Sequence, residues 1–146
     1  MNTFSIPVLM FHSVANHGKH RPWSFLSMPV QTFELCIKHL YLNGFKTITL
    51  NQLYEYMNGN IDLPNKSIIL TFDDGFLDNW VYAYPILKKY GMKGTIFVSP
   101  EFVDMTDEYR PNLEDIRSGY IPQNDLEYWG YLSWNEMIKM EKEGDK

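Results

Sequence analysis

The segment Ser67 to Phe72, SIILTF, is a run of strand-forming residues that ends directly in Asp73-Asp74-Gly75. It is the most strongly strand-like segment of the chain, and a strand of a sheet needs helices packed back on it. The rest of the chain supplies those helices in alternation. Pro7 to Phe11 reads as a first buried strand, and the polar stretch from Asn16 to Ser27 reads as a loop leaving its end. Val30 to Leu42 carries Phe33, Cys36, Ile37, Leu40 and Tyr41 at helical spacing, with Asn43-Gly44 as its stop. Phe45 to Leu50 alternates as a strand. Asn51 is then placed to cap a helix carrying Leu53, Tyr54 and Met57. After the central strand, Phe76 to Tyr90 returns to helical spacing, bent at Pro85, and Gly94 to Val98 is another strand. The fold class expected is α/β, with a mainly parallel sheet, open or closed into a barrel.

The acidic segment 104–128, with Pro111, Gly119 and Pro122, shows no steady period and reads as a surface insertion. Ser133 can cap a last helix, with Glu136 as its capping-box partner and Met137, Ile138 and Met140 on its apolar face. At 146 residues and 45% hydrophobic, the chain is large enough for one globular unit. Its net charge of -5 argues against a nucleic-acid backbone or an anionic membrane surface as partner. No run of about 18 apolar residues occurs, so no membrane span is expected. The opening MNTFSIPVLMF lacks a basic region and a cleavage site, so a cytoplasmic location follows if Met1 is the native start. The single Cys36 forms no internal disulfide and reads as a small buried thiol.

Two adjacent carboxylates on a strand point to opposite faces unless the strand ends or bulges there, and Gly75 supplies that freedom. Ligands of parallel sheets sit beyond the carboxyl ends of the strands. Like charges this close are relieved by a shared proton or a bound cation, so Asp73 and Asp74 are candidates for a metal site. Taken alone, the pair also fits a helix cap and first turn. Of the histidines, His39 lies in a helix among apolar residues and reads as a core or boundary side chain. His17 and His20 lie in the polar loop and read as solvated. His12 follows the first strand directly, so it opens toward the same rim as Asp73, where a substrate contact and simple strand capping are both open readings.

The segment Ile69 to Val98, ILTFDDGFLDNWVYAYPILKKYGMKGTIFV, resembles the first catalytic motif and the following helix and strand of the polysaccharide deacetylase family, the NodB homology domain or carbohydrate esterase family four. Pro7 to Val14 is similar to that family's first strand, and LSWNEMIKMEKEGD to the helix before its histidine motif. The resemblance implies a deformed (β/α) barrel that hydrolyses N-acetyl groups on amino-sugar polymers or N-acyl sugars. It implies that Asp73 is the general base and that Asp74 is a ligand of a divalent ion, zinc first. The family's paired histidine ligands fall past the last residue here, so residues 1–146 match an N-terminal part of such a catalytic domain. A chain of this extent is expected to hold zinc weakly, to lack deacetylase activity alone and to self-associate through exposed strand edges. Arg110-Pro111 resembles a family element that belongs further along, and reads as coincidence. The competing reading is a non-catalytic or degenerate carbohydrate-binding domain of the same fold. A haloacid-dehalogenase-like phosphatase would need its second aspartate two positions after the first, and a response-regulator receiver a phosphoacceptor aspartate at a later strand end.

Overall fold

The computed structural model describes residues 5–16 and 24–144. Its centre is the strand predicted first. The strands and helices are β1 (Val8–Phe11), β2 (Ser13–Val14), β3 (Ser27–Met28), α1 (Val30–Leu42), β4 (Lys46–Thr47), α2 (Leu50–Met57), β5 (Ser67–Phe72), α3 (Tyr84–Lys89), β6 (Thr95–Ile96), α4 (Leu113–Arg117) and α5 (Trp134–Gly144). Every residue of β5 is buried. β1 and β4 flank it, both parallel, and β6 pairs with its last two residues, also parallel. The α/β class with parallel strands is as expected, and the strands form an open arc, not a closed barrel. No helix among the described residues is long and apolar enough to cross a membrane.

The core explains why the elements sit where they do. Phe33, Ile37 and Leu40, one helical stripe of α1, meet Phe11, Leu70 and Phe72 of the sheet. Phe11, Phe33 and Phe72 pack ring on ring, with centroids 5.2 to 5.9 Å apart. Two expectations are corrected at element ends. Thr49, not Asn51, caps α2: its hydroxyl accepts from the Gln52 N–H while the Gln52 side chain accepts from the Thr49 N–H, and this reciprocal cap cuts the preceding strand to Lys46–Thr47. His39 is exposed in the last turn of α1, against Asn43, because the buried stripe of that helix runs along its other side. The helix expected from Phe76 to Tyr90 is present over residues 77–89, with a five-residue π turn, Asn79–Ala83, set inside it ahead of Pro85 in the first turn of α3. Cys36 is half-buried, and burial pushes its thiol pKa up.

The segment 104–128, expected as a surface insertion, is exposed over much of its length yet sends residues into the interior. Leu126 joins Leu77, Trp80, Val81 and Leu132 in a second apolar cluster, and Asn112, which caps α4, is buried. Arg110 is its main anchor. The guanidinium donates to both carboxylate oxygens of Glu136, which is fully buried, and to Asp104 and the Tyr131 carbonyl, while the Arg110 carbonyl accepts from the Trp80 indole. Isolated anchors of this kind leave no periodic trace in a sequence. Arg110 is thus committed to Glu136 and Asp104.

Candidate functional site

The sheet delivers the paired aspartates to its carboxyl edge and stops there. The Asp73 N–H donates to the Phe11 carbonyl at 2.9 Å, so the pairing with the last residue of β1 runs one residue past the end of β5. The next residues, Asp74 and Gly75, are both left-handed, with φ of 73° and 71°. Two such residues in succession end the strand's alternation, and the two carboxylates are no longer forced onto opposite faces. A left-handed aspartate is uncommon, and such conformations concentrate at functional sites. Glycine is required at the second position for a further reason. A Cβ on Gly75 would stand 3.0 Å from Val98 Cγ1.

The structure brings His12 to the pair. Its Nε2 lies 3.9 Å from Asp73 Oδ2, and the two side chains are 23% and 32% exposed. This separation is too long for a direct hydrogen bond and suits two groups that face a common ligand or water across an open rim. The carboxylate of Asp74 has no hydrogen-bond or ion-pair partner among the described residues. It fits one ligand position of a divalent ion. No group of three or more His, Cys, Asp and Glu side chains suited to a metal occurs among the described residues, so these residues do not complete a metal site. His17 and His20 lie outside the described residues.

The rear of the site is braced by the segment that precedes α5. The Leu132 N–H donates to the Gly75 carbonyl and the Leu77 N–H to the Gly130 carbonyl, at 2.9 and 2.8 Å. The rings of Phe76, Tyr131 and Phe102 stack in sequence over this bridge. A mobile aspartate turn would lose its geometry, and this brace holds it on the side away from β1.

Beneath His12 lies a buried polar cluster that the sequence reading missed. Asp78 Oδ2 accepts from the Ser13 hydroxyl at 2.5 Å, and Asp78 Oδ1 accepts from the Val14 N–H at 3.0 Å. The Asn79 Nδ2 donates both to Asp78 Oδ1 and to the His12 carbonyl, each at 2.9 Å. Burial pushes the Asp78 carboxyl up to about 6, against the lowering effect of these donors. The signal available in the sequence was a polar pair, Asp78-Asn79, set between Leu77 and Trp80 in an otherwise apolar helical start.

The polysaccharide deacetylase family model matches residues 60–146. A Bacillus subtilis protein whose name places it among the polysaccharide deacetylases, YxkH, is 39% identical over 93 residues, which are 64% of this chain and 31% of that protein. The poly-beta-1,6-N-acetyl-D-glucosamine N-deacetylase of Escherichia coli K12 is 34% identical over 82 residues, 56% of this chain and 12% of that protein. This chain therefore spans less than a third of the length of either relative. Among solved structures, a de-N-acetylase from Aggregatibacter actinomycetemcomitans superposes with a TM-score of 0.71 at 22% identity, over 95% of this chain and 51% of that one. The match to the family model spans the aspartate turn, its bracing segment and α5, and with it the chain belongs to the polysaccharide deacetylase family.

Proposed function

We propose that this chain carries the base and one metal ligand of a site that hydrolyses N-acetyl groups on amino-sugar polymers or N-acyl sugars. The observation that carries this reading is the Asp73-Asp74 turn itself: a strained carboxylate pair at the open end of a fully buried strand, with an imidazole 3.9 Å from the first carboxylate. Asp73, half-exposed and facing His12, takes the proton of an attacking water as the water oxygen bonds to the amide carbon. The same proton then serves the leaving amine nitrogen as the C–N bond breaks, which releases acetate and leaves a free amino sugar. His12 contacts the substrate at the rim, where it orients the acyl group. Asp74 holds a divalent ion, zinc first, together with donors outside the described residues. Such an ion, when bound, polarises an amide carbonyl and acidifies water.

Relatives that act on poly-N-acetylglucosamine suggest the substrate class. Incubation of the full-length protein with N-acetylglucosamine oligomers is expected to release acetate and free amines in equal amounts, read by acetate assay and amine labelling. The incomplete donor set among the described residues favours a second reading, a carbohydrate-binding domain of the same fold without catalysis. Oligomer binding without acetate release would establish the second reading over the first.

A further inference from the structure

The polar cluster beneath the site has no counterpart in the chemistry assigned to Asp73, Asp74 and His12, yet it is built at a cost that packing alone does not explain. Asp78 and Asn79 are 2% and 1% exposed. They follow the aspartate turn by one helical turn, so they move with it. Their side chains reach across to the other strand. Between them they bind three consecutive residues after β1: the His12 carbonyl, the Ser13 hydroxyl and the Val14 N–H. His12 is thereby tied to the same short element that carries Asp73 and Asp74. Ser13 Oγ also lies 3.0 Å from Ser27 Oγ, and the Ser27 hydroxyl donates to the Ala15 carbonyl.

Asn79 shows what this arrangement costs. Its Nδ2 serves two acceptors, which sets the amide's orientation and leaves Oδ1 buried with no partner among the described residues. An orphaned amide oxygen destabilises a fold, a cost set here against the two bonds that Nδ2 makes. A residue kept at a cost to stability beside a strained turn marks a functional constraint. The burial that pushes up the Asp78 carboxyl points the same way.

We propose that Asp78 and Asn79 are positioning residues that hold the His12–Val14 backbone so that the His12 imidazole stands opposite Asp73. They act through His12. This inference rests on the proposed deacetylase reading, and its test separates the two.

In the full-length protein, Asn79→Leu removes both bonds from Nδ2 and the orphaned oxygen together. The expected result is a variant that still folds, with a melting temperature lowered because the His12 carbonyl and Asp78 lose their donor, and with kcat per folded molecule on N-acetylglucosamine oligomers lower by on the order of tenfold or more. The His12 ring proton signals in the NMR spectrum should shift as the imidazole loses its fixed place. Unchanged kcat and an unmoved His12 signal in a folded variant overturn the proposal, as does a loss of activity that matches the fraction unfolded. If Asn79→Leu does not fold, Asp78→Asn is read in the same way, since it keeps an oxygen for the Val14 N–H but removes the acceptor of the Ser13 hydroxyl. If the wild type releases no acetate, the deacetylase reading fails by itself, and the His12 signal still decides whether Asp78 and Asn79 position the imidazole.

Discussion

Asp78 turns a buried contact into a pH dependence whose sign follows from its surroundings. Its carboxyl is raised from 3.8 to about 6 in the folded chain, so between these values the folded state keeps a proton that the unfolded state releases. The stability this proton supplies is complete below about pH 4 and is lost as pH rises through about 6, on the order of 3 kcal/mol in all. Urea denaturation of wild type and Asp78→Asn from pH 4 to 7.5 reads the effect, and the wild type should lose stability across that window relative to the variant. A constant difference between the two would place the carboxyl's ionisation outside this range. Gly75 makes a second prediction. Gly75→Ala places a side chain at φ 71° and 3.0 Å from Val98 Cγ1, so about 1–2 kcal/mol of stability is expected to go from the left-handed strain alone, with more from the contact. A thermal melt reads it. Asp73, Asp74 and Gly75 were legible because two acids and a glycine at a strand's end have few uses. Asp78 and Asn79 were not, because a helical period marks apolar residues and does not say which polar ones are buried.

The elements differ in how openly the sequence announces them. β5 was legible to the residue, since a continuous apolar run closed by a charged pair has only one pair of bounds. The cap of α5 was also legible. The Glu136 N–H donates to the Ser133 hydroxyl and the Ser133 N–H to the Glu136 carboxylate, the reciprocal box that the spacing suggests. What the spacing could not show is that Glu136 has a second task. Its carboxylate also neutralises Arg110, which carries the 104–128 segment against α5. That partner lies 26 residues away in a stretch without periodicity. Glu136→Ala therefore leaves a largely buried guanidinium with Asp104 and the Tyr131 carbonyl and without its bidentate carboxylate, and opens the helix cap, so about 3–5 kcal/mol of destabilisation is expected. Chemical denaturation of the variant measures it. A loss of only about 1 kcal/mol, the worth of a cap, would mean that Arg110 relaxes to solvent without harm.

At the scale of the molecule, the parallel sheet is an open arc. A groove of about 890 Å³ lies between the β6 and α3 region and α5, lined by Phe72, Leu87, Met92, Ile96, Met137 and Met140 among others. Contrary to the buried first strand expected at Pro7 to Phe11, Val8 and Met10 of β1 are 56% and 64% exposed, because one face of this strand is uncovered. Exposed apolar surface beside a short, unclosed sheet favours association. The 146-residue chain on its own is expected to elute in size-exclusion chromatography as a species larger than 17.3 kDa, with its apparent size rising with concentration, whereas a concentration-independent monomer would show that these surfaces are tolerated. The alternation of strands and helices, and with it the α/β class, was legible, but the short pairing of β2 with β3 was not, because two-residue strands leave no alternation to read. The packing of the 104–128 segment was not, since it depends on single residues meeting distant partners. The central claim divides two adjacent carboxylates between two roles, and one paired measurement tests it most directly: metal content and acetate release of the full-length protein with Asp73→Asn and with Asp74→Asn. The account predicts that Asp73→Asn keeps its metal and loses at least about a hundredfold in rate, the contribution of a positioned base, while Asp74→Asn loses metal and activity together. Equal loss of metal in both variants, or full activity in either, would contradict it.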